Sequence, residues 1–324
     1  MPRPLALLLL AFAVAAPVAR AAEPARVVVG AYLNDIQSID LKLHSYEVDL
    51  YVWFRWTDPT LESPADTLEF VNPSELWGHT KNTSYEATVE LPGGERYQVV
   101  RVQGRFCKKL PLYNYPFDRQ ALTVVFEDSR KDVRELVYEA DPKGVTVNPD
   151  LVLPGFTAGA AALAIAPFHY PTDFGDPRDT KNNVYSRVVF SLPISRPAWT
   201  YSVKFLLPVL CVVLCAALML VLRPSYVDAR VGIGITALLT VVALQITTND
   251  DLPNVDYLVL MDKVYILAYV YVIAGLAVVV RTTKLLEGAS AEAGERLHRR
   301  ALVVLTALFV VAFAAVVGHA VVAG

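Results

Sequence analysis

The stretch DARVGIGITALLTVVALQITTND, residues 228–250, decides the fold, because it is long and hydrophobic yet carries polar residues inside it. No charged residue occurs from Val231 to Asn249. At ~1.5 Å per residue, a helix of this length spans about 33 Å, close to the ~30 Å hydrocarbon core of a bilayer. At ~100° per residue, one side of that helix carries a row of acidic, polar and small residues with isolated large apolar residues between them: Asp228, Gly232, Thr236, Leu239, Ala243, Ile246 and Asp250. We therefore predict a membrane-spanning helix with one side in contact with water.

The composition is too apolar for an ordinary soluble domain. The chain has 324 residues, of which 54% are hydrophobic and 19% charged, with a net charge of −3 and a mean hydropathy of +0.40.

Residues 1–22 contain an apolar run from Leu5 to Ala16 and the small-x-small sequence Ala19-Arg20-Ala21, which predicts a secretory signal peptide. We expect no cofactor and no nucleic acid partner.

Residues 23–198 have the pattern of an all-β domain. Short stretches rich in Val, Tyr, Phe, Trp and Thr, such as YEVDLYVWFRW at 46–56, alternate with Pro, Gly, Asn and Asp. This pattern predicts an immunoglobulin-like sandwich of about ten strands. The exported part holds a single cysteine, Cys107, so the sandwich has no disulfide framework and depends on its hydrophobic core.

Residues 199–324 predict an antiparallel four-helix transmembrane bundle, with spans at about 201–222, 228–249, 257–280 and 299–322. Arg223 and Arg230 join the first two spans, and several basic residues lie between Arg281 and Arg300. Positive loops stay in the cytoplasm. We therefore expect a multi-pass inner-membrane protein whose sandwich and C-terminus are periplasmic.

A signature motif precedes the membrane segment. The sequence YNYPFDRQ, residues 113–120, contains Pro116-Phe117-Asp118, which resembles the signature loop of pentameric ligand-gated ion channels, the Cys-loop receptor superfamily. The flanking cysteine pair of animal members is absent, as in bacterial members. Other matches follow in the order expected for the family: Trp56-Thr57-Asp58-Pro59, Glu75-Leu76-Trp77, Arg196, Pro208, LTVVA at 239–243 and Leu252-Pro253.

The resemblance implies a homopentamer in the lipid bilayer, with the row on residues 228–250 lining a pore for monovalent cations. It implies a selectivity region of Asp228, Gly232 and Thr236, and a gate of Leu239, Ala243 and Ile246, closed by dewetting. Asp250 would lie at the outer mouth, where it and Asp251 form a possible divalent-ion site. The alternatives are a charged helix start for Asp228 and bundle packing for the apolar residues.

The agonist site is less specific in the sequence. Members of the family bind agonists outside the membrane, in an aromatic cage between subunits. By position, the candidates are Tyr51, Tyr138, Glu139, Tyr170 and Tyr185. Each tyrosine is equally well explained as part of the sandwich, and the sequence does not choose between a small amine and a proton as the agonist.

Coupling between the domains is expected at the membrane entrance. The resemblance brings the signature loop, the hairpin near Asp35–Asp40 and the connection after the second span together. Asp118 is the expected partner of Arg196, and Pro253 would stiffen that connection. The competing hypotheses are a non-conducting membrane-tethered sensor and a transporter, while an enzyme is excluded for lack of any catalytic motif.

Overall fold

The computed structural model describes residues 23–75, 79–175, 183–287 and 291–323. The expected signal peptide, 1–22, lies outside the described residues, as do Leu76 and Trp77 of one family motif.

The first domain is a two-sheet β-sandwich, which confirms the predicted fold class. One sheet has the order β4-β6-β2-β1-β8 with β5 beside β6, and the other has the order β10-β11-β7-β3 with β9 beside β11. Of the pairings, only β1 with β8 is parallel within the described residues. The strands are β1 Ala25–Asp40, β2 Ser45–Trp56, β3 Leu68–Phe70, β4 Thr80–Thr83, β5 Val89–Glu90, β6 Arg96–Cys107, β7 Arg119–Asp128, β8 Leu136–Val147, β9 Thr157–Ala158, β10 Ala162–His169 and β11 Val184–Ser195.

Alternation along the strands builds the core between the sheets. On β2, Leu50, Val52 and Phe54 are completely buried, whereas Tyr51 and Trp53 point away from the core. The hydroxyl of Tyr46 on β2 donates to the Thr123 carbonyl on β7 at 2.6 Å, which links the two sheets. The sandwich therefore presents one set of side chains to its core and the other to two outer faces.

The second domain is a helical bundle, and its four long helices are apolar enough to cross a membrane. A short α1 and a π-helical turn, Ser202–Leu206, lead into α2, where Pro208 has no N–H to donate to the preceding turn. Helix α4 continues to Glu287 and α5 begins at Ala291, so most of residues 281–300, between the predicted third and fourth spans, are helical. The helices are α1 Ala198–Tyr201, α2 Leu207–Val221, α3 Val227–Asp250, α4 Leu260–Glu287 and α5 Ala291–Ala323.

The two domains share an apolar core at their junction. Tyr115 and Phe117 of the signature loop are buried in the same cluster as Leu206 of the first span and Leu252 after the second. Leu41, in the turn between β1 and β2, packs against this cluster. The signature loop, the first hairpin and the α3–α4 connection therefore meet at the membrane entrance, as the sequence predicts.

Candidate ion pore and agonist site

One side of α3 is exposed along its whole length. All seven residues of the predicted row, from Asp228 to Asp250, are exposed, with Leu239 at 64% and Ile246 at 58%. The opposite side is buried against the other helices. Its buried residues are Arg230, Gly234, Ala237, Val241 and Thr248.

The structure sorts the polar residues of α3 between these two sides. Gln245 accepts a hydrogen bond from Tyr269 of α4 at 2.6 Å, and Thr248 pairs with Tyr265 at 2.7 Å. These two therefore belong to the bundle. The hydroxyls of Thr240 and Thr247 lie on the exposed side and donate to their own helix backbone. Each oxygen keeps lone pairs that a cation or water can use.

The exposed sides of the other helices are different in kind. Through the middle of α2, α4 and α5, the large exposed residues are aliphatic, which suits contact with lipid. On α3, threonines interrupt the aliphatic residues and acids lie at both ends. Representative exposed residues of the other helices are Leu214 and Leu218 of α2, Val270 and Ile273 of α4, and Leu308 and Val311 of α5.

The ends of the row carry acids, and the space beside Gly232 is open. Asp228 lies in the first turn of α3, and Asp250 and Asp251 lie at the other end, all three exposed. A Cβ atom built on Gly232 would meet nothing within 4 Å. No group of three or more potential metal ligands occurs among the described residues, so the suggested divalent-ion site at Asp250 and Asp251 would need ligands from other subunits.

Arg230 is buried near the start of α3, whereas the sequence predicted only a charge in the connection between the first two spans. Its guanidinium bonds to three neutral groups on three helices: the Met219 carbonyl at 2.7 Å, the Thr282 hydroxyl at 3.4 Å and His298 Nδ1 at 3.1 Å. No carboxylate of the described chain lies within ion-pair distance of it. An arginine donor requires His298 Nδ1 to be an acceptor, so the imidazole is neutral on that nitrogen.

Arg196 pairs with Asp118, as the sequence predicts. Arg196 Nε lies 3.4 Å from Asp118 Oδ1, and the two side chains are 5% and 4% exposed. The geometry is that of an ionic contact, because these two atoms have no hydrogen-bond partner, whereas Gln120 donates to the other Asp118 oxygen at 2.8 Å.

Three aromatic rings surround the Arg196 guanidinium, at 4.3 Å for Phe156, 5.0 Å for Tyr201 and 5.1 Å for Tyr115. Burial raises the pKa of Tyr115 to about 12, so this ring stays neutral beside the pair.

Two tyrosines that the sequence analysis missed join the signature loop to α4. The rings of Tyr113 and Tyr257 stack at 3.9 Å. The Tyr257 hydroxyl accepts from the Leu112 amide, and the Leu260 amide donates to the Tyr113 carbonyl, both at 2.9 Å. In the α3–α4 connection itself, Leu252 is buried, whereas the expected residue Pro253 is half-buried. The tyrosines in YNY, residues 113–115, and VDY, residues 255–257, were a usable signal in the sequence. Nothing in these triplets specifies that Tyr113 stacks on Tyr257.

Tyr138 does not belong to a ligand site, contrary to the expectation from its position. It is 2% exposed and packs against Phe54 and Phe126 in the sandwich core. Burial raises the pKa of its hydroxyl, which has no hydrogen-bond partner. Because neighbouring residues on a strand point to opposite faces, Glu139 lies outside the core, where it pairs with Arg26 at 2.6 Å.

Tyr51 and Tyr185 lie on opposite outer faces of the sandwich. Tyr51 is on β2, where Arg101 stacks over its ring at 5.3 Å and also pairs with the buried Asp49. Tyr185 is on β11, in the other sheet. One subunit therefore cannot enclose a ligand between these two tyrosines.

Tyr170 and Tyr185 do come together, in what we call the hairpin aromatic cluster: Phe168, Tyr170, Phe174 and Tyr185. Ring centroids lie 5.0 to 5.8 Å from Tyr170. Residues 176–182 of the hairpin loop lie outside the described residues. Burial and a hydrogen bond to Glu127 raise the pKa of Tyr170 to about 12.

The hairpin aromatic cluster contains a cation from its own chain. The Arg187 guanidinium carbon lies 3.4 Å from the centroid of Phe168 and 5.4 Å from that of Tyr170. Arg187 pairs with Glu127 at 3.0 Å, and Tyr170 donates to the second Glu127 oxygen at 2.6 Å. Neither Arg187 nor Glu127 was predicted from the sequence.

Comparison with known proteins agrees with the signature loop and the fold. No family model matches the chain. One similar protein is the "Proton-gated ion channel" of Gloeobacter violaceus, which is 23% identical over 262 residues, covering 77% of this chain and 70% of that protein. Such a match spans both domains rather than one motif. Together with the signature loop, the sandwich and the four apolar helices, this similarity supports the resemblance of the chain to the pentameric ligand-gated ion channels.

Proposed function

We propose that five copies of this chain form a cation-selective channel, with α3 of each copy lining a central pore. The carrying observation is the exposed side of α3, where exposed threonines lie between exposed acids at both ends; among the side chains whose burial the structure describes, no other long helix has this combination. A lipid-facing helix gains nothing from this side, since its polar groups need water or partners. Closed cyclic symmetry supplies a water-filled centre for it.

Each level of the row then has a role in conduction. Rings of Asp228 at the inner mouth and Asp250 at the outer mouth attract cations and repel anions. Thr236 offers hydroxyl oxygens to partly dehydrated ions, and Gly232 leaves the lumen wide. Rings of Leu239 and Ile246, with the small Ala243 between them, close the pore by excluding water.

The orientation follows from the basic residues. Arg223 and the basic cluster at the start of α5 lie at the end of the bundle away from the sandwich. The positive-inside rule places that end in the cytoplasm. The sandwich and the C-terminus then lie in the periplasm of an inner-membrane protein.

For the stimulus we propose external protons, acting at the domain junction through His44. The similar Gloeobacter protein is described as proton-gated. His44 lies in the turn between β1 and β2, and its Nδ1 accepts a hydrogen bond at 3.2 Å from the amide of Leu110, just before the signature loop. Burial, helped by Lys109, lowers the pKa of His44 below its ordinary 6.5.

The direction of the pH effect follows from that bond. A protonated Nδ1 cannot accept, so acid breaks the link between the first hairpin and the signature loop. The lowered pKa means that the junction with the His44–Leu110 hydrogen bond is stabilised by neutral His44, and therefore at neutral pH. That stabilisation is lost as the pH falls below about 6.5. Acid therefore favours a rearranged junction, which we take to be the opening step.

Voltage-clamp recording in planar bilayers under a cation gradient tests this function while the periplasmic pH is lowered. We expect an acid-evoked current whose reversal potential follows the cation gradient. Leu239→Ala removes the apolar ring, so it should conduct at neutral pH. A current that follows the anion gradient would overturn cation selectivity. Silence of both proteins would favour the alternative, a non-conducting tethered sensor.

A further inference from the structure

The hairpin aromatic cluster is already occupied by a cation. The flat guanidinium of Arg187 lies 3.4 Å above the Phe168 ring, which is stacking distance, and its side chain is only 13% exposed. Aromatic faces attract cations at about 0.5 to 2 kcal/mol each. This is the attraction that an aromatic cage offers to an ammonium ligand, and here Arg187 receives it.

The counter-charge of the cluster is used as well. Glu127 is 6% exposed, and one of its oxygens accepts from Arg187 Nε at 3.0 Å. The other oxygen accepts from the Tyr170 hydroxyl, which itself accepts from Arg187 Nη2 at 2.8 Å. Arg187, Glu127 and Tyr170 form a closed set of hydrogen bonds. An incoming amine would therefore have to displace Arg187 to reach this face of Phe168 and to pair with Glu127.

We propose that Arg187 determines agonist specificity by filling the place that an amine would take, so that the native chain excludes amines. The role of Arg187 in agonist choice rests on the proposed channel function. The exclusion of amines from the cluster does not, because it is measured as binding. It also agrees with a proton as the stimulus, since a proton needs no cage.

The proposal has a specific consequence for a variant without Arg187. Arg187→Ala uncovers the Phe168 ring and leaves Glu127 buried and without its cation. Burying an unpaired carboxylate is costly, so the vacated site should recruit a small cation from solution. Methylguanidinium matches the missing group, and ethylammonium is a smaller relative of the same charge.

The experiment measures binding on the full-length protein in detergent, where ligand binding raises the unfolding temperature. We expect methylguanidinium to stabilise Arg187→Ala at concentrations at least about tenfold lower than any effect on the native chain. Arg187→Lys retains a cation and should behave as the native chain does. Arg130→Ala, which removes an exposed arginine paired with Glu62 at 3.8 Å, controls for the loss of one surface charge.

Each outcome decides the proposal. Equal binding by the native chain and Arg187→Ala would overturn it, and so would a folded Arg187→Ala that binds neither cation. If this variant is recovered only when methylguanidinium is present during purification, the rescue supports the proposal. If Arg187→Ala is not recovered as folded protein even with methylguanidinium, Arg187→Met is used instead. Failure to recover folded Arg187→Met in the presence of methylguanidinium would count against the proposal. If the native protein and Leu239→Ala are both silent while Arg187→Ala binds methylguanidinium, the proposed function fails but amine exclusion stands.

Discussion

Two buried arginines lie at opposite ends of the membrane domain, and they are held in different ways. Arg196, at the entrance from the sandwich, faces the charged Asp118 at 3.4 Å without a hydrogen bond between those atoms. Arg230, at the end of the bundle away from the sandwich, is completely buried and is held by a carbonyl, a hydroxyl and an imidazole. The first is a charge pair between segments far apart in the chain, and the second joins all four long helices.

The difference indicates which end is built to rearrange. A charge pair that is not yet a hydrogen bond can tighten or part, so its energy differs between two arrangements of the junction. The neutral acceptors around Arg230 already hold hydrogen bonds from it, so a movement of the helices would break these bonds without forming stronger ones. We infer that the outer contact takes part in gating, whereas the inner one fixes the base of the pore.

Breaking the outer contact should have the largest effect. Arg196→Ala leaves the Asp118 carboxylate buried without its cation, which costs about 3 to 5 kcal/mol. We expect a large loss of assembled channel, measured by size-exclusion chromatography and thermal unfolding. Arg196→Ala combined with Asp118→Ala should recover part of the stability but not normal gating. A single variant that assembles like the native protein would contradict the importance of the pair.

Removing the inner arginine should cost less. Arg230→Ala leaves only neutral acceptors unpaired, and each such group costs about 1 to 3 kcal/mol, part of which entering water can offset. We expect a destabilisation of about 2 to 3 kcal/mol in chemical unfolding. Gating by acid should be retained in whatever channel assembles. A loss larger than that of Arg196→Ala would invert the comparison.

His44 provides a milder break of the outer junction. His44→Phe removes the acceptor for the Leu110 amide at every pH, at a cost of about 1 kcal/mol. We expect partial activation at neutral pH and a flattened pH response, recorded as dose–response curves of current against periplasmic pH. His169→Phe, a change at an exposed histidine on β10, should leave the curve in place. An unchanged curve for His44→Phe would remove this residue as the sensor.

Asp228 sharpens the comparison at the inner end, because it lies two residues from Arg230 but on the exposed side of α3. Asp228→Asn removes charge without disturbing the buried contacts. We expect an unchanged unfolding temperature and a weaker preference for cations, seen as a shift of the reversal potential under a salt gradient. An unchanged reversal potential would exclude Asp228 from the selectivity region.

The sequence predicted the parts that depend on local pattern. Alternation along YEVDLYVWFRW identified strand β2, and the spacing of residues 228–250 identified an exposed side that the structure reproduces at every position. The Arg196–Asp118 pair was also predicted, since the motif fixed both positions. What failed depended on the third dimension. Tyr138 carries no local sign of facing the core, and the position of Arg187 over Phe168 depends on pairing between β10 and β11.

In the proposed pore, Gly232 is a position where a substitution can change conduction without disturbing the packing of the subunit. Glycine within a helix is about 1 kcal/mol less favourable than alanine, and no neighbour of Gly232 occupies the space that a side chain would need. An alanine there meets no neighbour within the subunit, and in the proposed pentamer five such methyl groups would narrow the pore. A protein engineer could therefore set conductance at this position and gain stability with the same substitution.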